Sequence, residues 1–280
     1  MSVGTLYVVA TPLGNLEDIT MRALRVLREV PLIACEDTRR TVKLLNRYEI
    51  RTPMTAFHDF NKARAGAGLL RRMREGGNVA LVSDAGTPGI SDPGYELVRD
   101  AVASGIPVEV IPGPSALVAA LVISGLPTDR FTFEGFLPNR PARRRKALAA
   151  LSGETRTMIF YEAPQRIAAF LADAAEAFGG RRACIVRELT KVHEEVLRGA
   201  LPDLLDEIAG RESVPGEITV VVAGAPKRIV RSVEDIVREA LEDASGSSRD
   251  LAKEIAGREG VSRKEVYEEI LKQRGRGGHS

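Results

Sequence analysis

The chain is predicted to fold as two α/β domains followed by a small helical tail, and three features of its 280 residues predict this. Short apolar runs of strand length alternate with amphipathic stretches of helical period from Leu6 to Val222, the pattern of helix-covered sheets. A cluster of turn residues, Ser124-Gly-Leu-Pro-Thr-Asp-Arg130, interrupts the alternation at a plausible domain boundary. From Val233 onward the strand-like runs stop and three short helical stretches follow. The expected domains are therefore residues 1–126, 127–228 and 229–280.

In the first domain, Leu6 to Ala10 is a strand, Thr11 to Asn15 a Pro/Gly turn, and Thr20 to Val30 a helix with Leu24, Leu27 and Val30 on one face. Strands are expected at Leu32 to Cys35, Val79 to Ser83 and Val108 to Ile111. Helices are expected around Ala63 to Arg74, Tyr95 to Ser104 and from near Ser115. Such an order predicts a mainly parallel sheet. The second domain repeats the alternation, with strands at Phe131 to Phe136, Thr157 to Tyr161, Cys184 to Val186, Glu195 to Leu197 and Ile218 to Val222. In the tail, Val233 to Glu242, Ser248 to Arg258 and Ser262 to Lys272 are helical, with Ser248 and Ser262 suited to N-caps and Gly260 to a turn. Their spacing allows a helix-turn-helix unit. Acidic residues there balance the basic ones, however, which favours a structural or docking appendage over a base reader. Arg274 to Ser280 is expected to fray.

Composition limits function by exclusion. A hydrophobic content of 44% and a net charge of +2 suit a soluble globular protein, and so small a charge does not by itself argue for a nucleic-acid partner. The two cysteines, Cys35 and Cys184, lie in separate apolar runs and suggest buried thiols in a reducing, cytoplasmic compartment. No apolar stretch approaches the roughly 20 residues that span a bilayer, so no membrane partner is expected. The sequence lacks G-x-G-x-x-G after its first strand, a G-x-x-x-x-G-K-[ST] phosphate loop and a G-x-S-x-G elbow, and its three histidines do not have metal-ligand spacing. No metal site is predicted.

Three loops after strands are rich in Gly and Pro: Thr11 to Asn15, Ser83 to Gly94, and Pro112 to Ala116. In an open α/β sheet the crevice beyond the carboxyl ends of the strands is the ligand site, so these loops are expected to converge on one cleft. Small residues let a ligand approach the backbone.

Seven segments carry a specific resemblance: Val9-Ala-Thr-Pro-Leu-Gly-Asn15, Ala34-Cys-Glu-Asp-Thr-Arg39, Ser83 to Gly94, Ile111-Pro-Gly-Pro-Ser-Ala116, Tyr161-Glu-Ala-Pro-Gln-Arg166, Arg187-Glu-Leu-Thr-Lys191 and Gly216-Glu217. In this order they resemble the signature set of the tetrapyrrole methylase-like (class III) methyltransferases, in the branch that modifies ribosomal RNA. Gln165 stands where that branch more often has His. The resemblance implies two α/β domains with S-adenosylmethionine in the cleft between them, in a homodimer. It implies as substrate a cytidine 2'-hydroxyl in the decoding region of 16S rRNA within the small ribosomal subunit. It further implies that Pro12, Leu13, Asp84, Gly86, Thr87, Ile90, Ser115 and Ala116 line the cofactor from the first domain. Tyr161 and Pro215, Gly216 and Glu217 would close it from the second. The absence of Lys and Arg from the three loops suits a cationic sulfonium ligand.

Methyl transfer needs the attacking oxygen about 3 Å from the methyl carbon, and a base or cation near the weakly acidic ribose hydroxyl helps. Glu36, Asp37, Glu188 and Lys191 are the candidates for that role, with Arg39 beside them as an RNA contact; a salt-bridged rim is the alternative reading of each. The densest basic run, Asn139-Arg-Pro-Ala-Arg-Arg-Arg-Lys146, makes Arg140, Arg143, Arg144, Arg145 and Lys146 candidates for gripping phosphates, and Pro141 could start a helix there. The alternatives are a related methylase of a tetrapyrrole or other small substrate, and a non-catalytic ribosome-binding protein on the same fold.

Overall fold

A computed structural model describes residues 3–226, 232–243 and 246–276, which divide into two compact units, 1–225 and 226–280. The expected boundary at 228 lies outside the described residues. The first unit contains two five-stranded sheets.

The first sheet has the order β3-β2-β4-β1-β5, built from β1 (Leu6–Val9), β2 (Ile33–Cys35), β3 (Met54–Ala56), β4 (Val79–Val82) and β5 (Val108–Ile111). All its pairings are parallel. Side chains alternate strictly between its faces. Val9, Ile33, Cys35, Ala80, Val82 and Ile111 pack against α1 (Met21–Glu29) and α2 (Thr38–Arg47). Leu6, Val8, Ala34, Val79 and Leu81 pack on the other face against α3 (Lys62–Arg74) and α4 (Gly94–Ala103). Both faces are thus buried at the inner strands β1, β2 and β4, which is why these three are continuous apolar runs. α2 and β3 are elements beyond those expected from the sequence.

The second sheet departs from the parallel pattern of the first. Its order is β6-β7-β10-β8-β9, from β6 (Phe131–Phe136), β7 (Thr157–Glu162), β8 (Arg182–Arg187), β9 (Glu195–Ala200) and β10 (Ile218–Val222). Only β6 and β7 pair in parallel; β10 runs antiparallel to both β7 and β8, and β8 to β9. On one face Met158, Phe160, Ile185 and Val220 pack against α6 (Pro141–Ala150), α7 (Ile167–Phe178) and α8 (Leu201–Ala209). The other face packs Ile159, Cys184, Val186 and Val221 against α5 (Ala116–Ser124). The passage from the first sheet to the second therefore falls before α5, ahead of the turn at 125–130.

Pro141 does begin α6, but Arg144 does not fit the expectation that it grips phosphates with Arg140, Arg143, Arg145 and Lys146. It is 4% exposed, and its Nε donates to Asp173 Oδ2 on α7 at 2.7 Å, with Nη2 donating to Ala169 O. Helical period explains this: Arg144, Leu148 and Leu151 are spaced i, i+4, i+7, so Arg144 belongs to the stripe that faces α7. Arg145 lies 3.7 Å from the other Asp173 oxygen and stays half exposed. Arg140, Arg143 and Lys146 are exposed.

In the second unit α9 (Val233–Asp243), α10 (Ser248–Glu259) and α11 (Arg263–Arg276) bury Ile236, Val237, Ala252, Ile255, Val266 and Ile270 together. The N-cap of α10 is Ser247, not Ser248, and Gly260 ends α10 in the left-handed conformation. Arg274, expected to fray, is held in α11, donating to Ser248 Oγ at 2.9 Å and Gly246 O at 3.0 Å. Residues 277–280 lie outside the described residues.

Removing one partner of a buried ion pair strands the other. Arg144→Ala is expected to cost about 3–5 kcal/mol, against about 0.5 kcal/mol or less for the exposed Arg143→Ala, in urea denaturation of the full chain. Equal stability of the two variants would mean that the Arg144–Asp173 pair does not hold α6 to α7.

Candidate active site

Parallel pairing places the carboxyl ends of β1, β2, β4 and β5 at one edge of the first sheet, and the loops that leave this edge are locked to one another. Thr11 and Gly86 exchange two backbone hydrogen bonds, of 2.9 and 3.0 Å. Thr87 Oγ1 donates to Pro114 O at 3.1 Å, tying in the loop after β5. The Asp37 N–H donates to Asp84 Oδ1 at 2.9 Å, tying in the loop after β2. Within the long loop, Asp92 accepts from the N–H groups of Gly89 and Gly94 at 2.8 and 2.7 Å. Gly86 has φ +77°, so the backbone conformation calls for glycine, and a Cβ there would stand 3.2 Å from the Leu13 side chain.

The second sheet supplies the facing wall. Because β10 is antiparallel to β7 and β8, its first residues lie beside their last ones: Ile218 is paired with both Glu162 and Arg187. Tyr161, Glu162, Val186, Leu189, Glu217 and Thr219 thereby reach one place. Residues in the left-handed region crowd this rim: Ser91, Glu188 and Thr190 have φ of 62°, 52° and 66°. Each costs about 1–3 kcal/mol, which the surrounding bonds must offset. Thr190 Oγ1 accepts from the Asn15 N–H at 3.1 Å, and the Lys191 side chain lies against Gly14, so the rim loop after β8 seats on the loop after β1.

Between the walls is a cleft of about 430 Å³. Of the residues expected to hold a cofactor, Leu13, Asp84, Gly86, Thr87, Ile90, Ser115, Ala116, Tyr161 and Glu217 line it. Pro12 instead borders a smaller adjoining hollow with Thr41 and Lys43, and Pro215 and Gly216 face a separate one with Glu188 and Arg211. Gln165 is exposed on a short 3-10 turn, Pro164–Arg166.

Of the four acid–base candidates, Glu36 alone lines the cleft. Burial, with the charges of Asp84 and Asp92, pushes its carboxyl above the ordinary carboxylate range. Asp37 caps α2 and takes two hydrogen bonds from the Arg39 side chain, at 3.0 and 2.7 Å, which hold it down to about 2. Burial pushes Glu188 up, but Lys191 Nζ at 2.8 Å and the Glu217 N–H at 2.9 Å outweigh it and leave the carboxyl low. Burial lowers Lys191, yet Glu188 and Glu217 more than compensate and keep its proton on. These three form the salt-bridged rim.

Arg40, Asp92 and Glu162, which the sequence did not single out, line the cleft together with Phe136. Arg40 bridges the walls, 3.5 Å from Asp84 and 3.9 Å from Glu217. Its signal was slight: it follows a matched segment by one residue, on a helix that begins with charged residues. Phe136 and Phe133 pack around Tyr161, with ring centroids 5.6 and 4.9 Å from it. Asp84 is pushed up by burial, which outweighs the Asp37 N–H and Arg40. The cleft thus joins an apolar, aromatic half to a cluster of carboxylates with one arginine at the rim. That donor set fits S-adenosylmethionine, an apolar adenosine attached to a cationic sulfur, and the volume suits a ligand of that size.

The profile of the tetrapyrrole (corrin/porphyrin) methylases matches residues 5–205. The Ribosomal RNA small subunit methyltransferase I of Pseudomonas aeruginosa is 48% identical over 288 aligned residues, covering 99% of this chain and all of that one. Its namesake from Thermotoga maritima is 48% identical over 222 aligned residues, 79% of this chain and 99% of that one. Among solved structures, uroporphyrin-III C-methyltransferase from Thermus thermophilus, complexed with S-adenosylhomocysteine, shares the fold. Its TM-score is 0.54 at 21% identity, over 78% of this chain and 97% of that one.

A bound cation would draw the raised carboxyls of Glu36 and Asp84 back down, so its binding should release protons. Affinity for S-adenosylmethionine is expected to rise with pH from the ordinary carboxylate range up through the raised values of these groups. S-adenosylhomocysteine, whose sulfur is neutral, should follow a flatter profile. Parallel profiles in titration calorimetry would remove the acids from the sulfur's surroundings.

Proposed function

Because the chain belongs to the tetrapyrrole methylase family, we propose that it acts as a ribosomal RNA methyltransferase, transferring a methyl group from S-adenosylmethionine to 16S rRNA. The observation that carries this is the full-length 48% identity to a small-subunit rRNA methyltransferase. In its finer form the acceptor is the 2'-hydroxyl of a cytidine in the decoding region, presented on the small ribosomal subunit in the cytoplasm.

The cofactor, when bound, supplies an electrophilic methyl group on a positively charged sulfur. Gly86 and its neighbours offer backbone close to the ligand, and the aromatic cluster of Phe136 and Tyr161 gives an apolar wall to an adenosine. We assign the proton-accepting role to Glu36 Oε. Its raised affinity for a proton brings it nearer the operating pH than Asp37, which Arg39 holds at about 2. Lys191 and Arg40 act from the rim by holding Glu188, Glu217 and Asp84 in place across the two walls. Arg39 is a further candidate contact to RNA, since its side chain is 88% exposed even while bound to Asp37. On α6 the exposed Arg140, Arg143, Arg145 and Lys146 keep the phosphate-gripping role, and the buried Arg144 leaves it.

Two features bear on the alternatives. A tetrapyrrole substrate carries many carboxylates, and a cleft lined by Glu36, Asp84, Asp92 and Glu217 would repel them. Among the described residues no helix is long and apolar enough to cross a membrane. A homodimer belongs to this reading and is supported by the apolar face that α5 leaves open, with Val118 and Val122 at 48% and 66% exposure. Sedimentation as a single monomer at micromolar concentration would remove it.

Undermodified small subunits incubated with the chain and S-adenosylmethionine are expected to gain one methyl group on a cytidine ribose, read by mass spectrometry of 16S rRNA fragments. Glu36→Gln should slow this by about 100-fold or more. Modification of a base, or none, would overturn the reading.

A further inference from the structure

A strip of surface outside the cleft has the chemistry to hold single-stranded RNA. Arg64, Arg71 and Arg72 of α3 are exposed and line a groove of about 640 Å³ with Thr55, Ala56 and Asn61, along the edge strand β3. Their cationic neighbours on α3 are committed within the fold. Lys62 pairs with Asp59 and Glu96, at 3.1 and 2.6 Å, and Arg74 donates to Ser104 Oγ at 2.9 Å. No hydrogen bond or ion pair with another described residue occupies the three groove arginines. Arg64 and Arg71 are two helical turns apart, about 10 Å along one face, with Arg72 adjoining. Glu75 is the one carboxylate in the groove. The field there is positive, and planar guanidinium groups suit phosphate oxygens.

At the end of this strip stands Phe60, 99% exposed. A phenyl ring left in water forgoes the roughly 1.5–3 kcal/mol of its burial and offers an open face on which a planar base can stack. The loop is ordered. Asn61 Nδ2 donates to Ala56 O at 3.0 Å, and Asn61 Oδ1 accepts from the His58 N–H at 2.9 Å. It also leaves the sheet next to the strand end that carries Glu36. Ala56 pairs with Cys35 across the parallel strands, the Phe57 N–H donates to Cys35 O at 2.8 Å, and Glu36 is the next residue. Asp59 is close enough for its charge to help raise both Glu36 and Asp92.

We propose that Phe60 and the α3 groove form a docking strip for an unpaired segment of the RNA substrate. Phe60 stacks on a base beside the cleft, and Arg64, Arg71 and Arg72 take the backbone phosphates leading away from it. Stacking on an aromatic ring is indifferent to base identity, so the strip positions the strand while the cleft selects the nucleotide. The strip rests on the reading of ribosomal RNA as substrate, and it lies on the first sheet's flank, on a different element from the α6 cations.

The test uses the full chain, undermodified small subunits and labelled S-adenosylmethionine. Replacing Arg64, Arg71 and Arg72 together by Ala should reduce the slope of log affinity against log salt by about 2–3 units. Phe60→Ala should raise the KM for subunits by about 5- to 100-fold. Phe60→Trp should restore it and Phe60→Leu should not, a distinction that a merely structural role would not make. Cofactor affinity, measured by calorimetry, should stay unchanged in every variant, showing that each is folded. An unchanged salt slope in the triple variant overturns the strip, including when affinity falls, since that points to a protein contact. So does rescue by Leu equal to that by Trp. No methylation of subunits by the unaltered chain would overturn the rRNA reading itself and the strip with it.

Discussion

Two backbone hydrogen bonds between Thr11 and Gly86 hold together the loops that leave β1 and β4, and the geometry of the cleft depends on them. A loop rich in Gly and Pro is free to move unless its amide groups are spoken for. Here the Thr11–Gly86 bridge fixes the floor, and Thr87 and Asp84 carry that fixity to the loops after β5 and β2. Asp92 shapes the long loop from within. The result is a wall whose backbone is exposed to a ligand without being loose, which lowers the entropy cost of binding.

The opposite wall depends on a reversal of strand direction. Had β10 run parallel to β7, its first residues would lie at the far end of the sheet and Glu217 could not face Asp84. The antiparallel register brings Glu217 to the cleft, where Arg40 joins it to Asp84 across both sheets. Beside it the backbone at Glu188 and Thr190 enters the left-handed region. A side chain at position 216 would collide with Glu188, so Gly216 is the residue that allows the close approach. Three of the four non-glycine residues with positive φ among the described residues, Ser91, Glu188 and Thr190, lie at this rim, as expected where a site is held ready for a ligand.

Much of this was legible in the sequence. Buried parallel strands are unbroken apolar runs, so β1 and β4 were located within about a residue, β5 was marked by its β-branched residues, and the turn chemistry of the loops marked the cleft. What escaped notice had physical causes. The edge strand β3 is three half-buried residues, and α2 opens with Thr-Arg-Arg-Thr, which carries little apolar period. Strand direction in the second sheet is set by long-range pairing that local pattern does not encode. Arg144 was misread because a dense charge run suggests solvent, although its spacing to Leu148 and Leu151 placed it on the buried stripe. Within the cleft, most of the residues contributed by the loops after β1, β4 and β5 were readable. Arg40 was not, because only its place one residue after a matched segment hinted that it faces the cleft.

The claim that the cleft is prebuilt, with the Thr11–Gly86 bridge as its floor, is tested most directly by calorimetry of S-adenosylmethionine with the Gly86→Leu chain. A leucine at φ +77° strains the backbone and pushes on Leu13, so binding should weaken by at least tenfold, about 1.4 kcal/mol, while the thermal transition of the protein persists. Cofactor affinity equal to that of the unaltered chain would contradict the account.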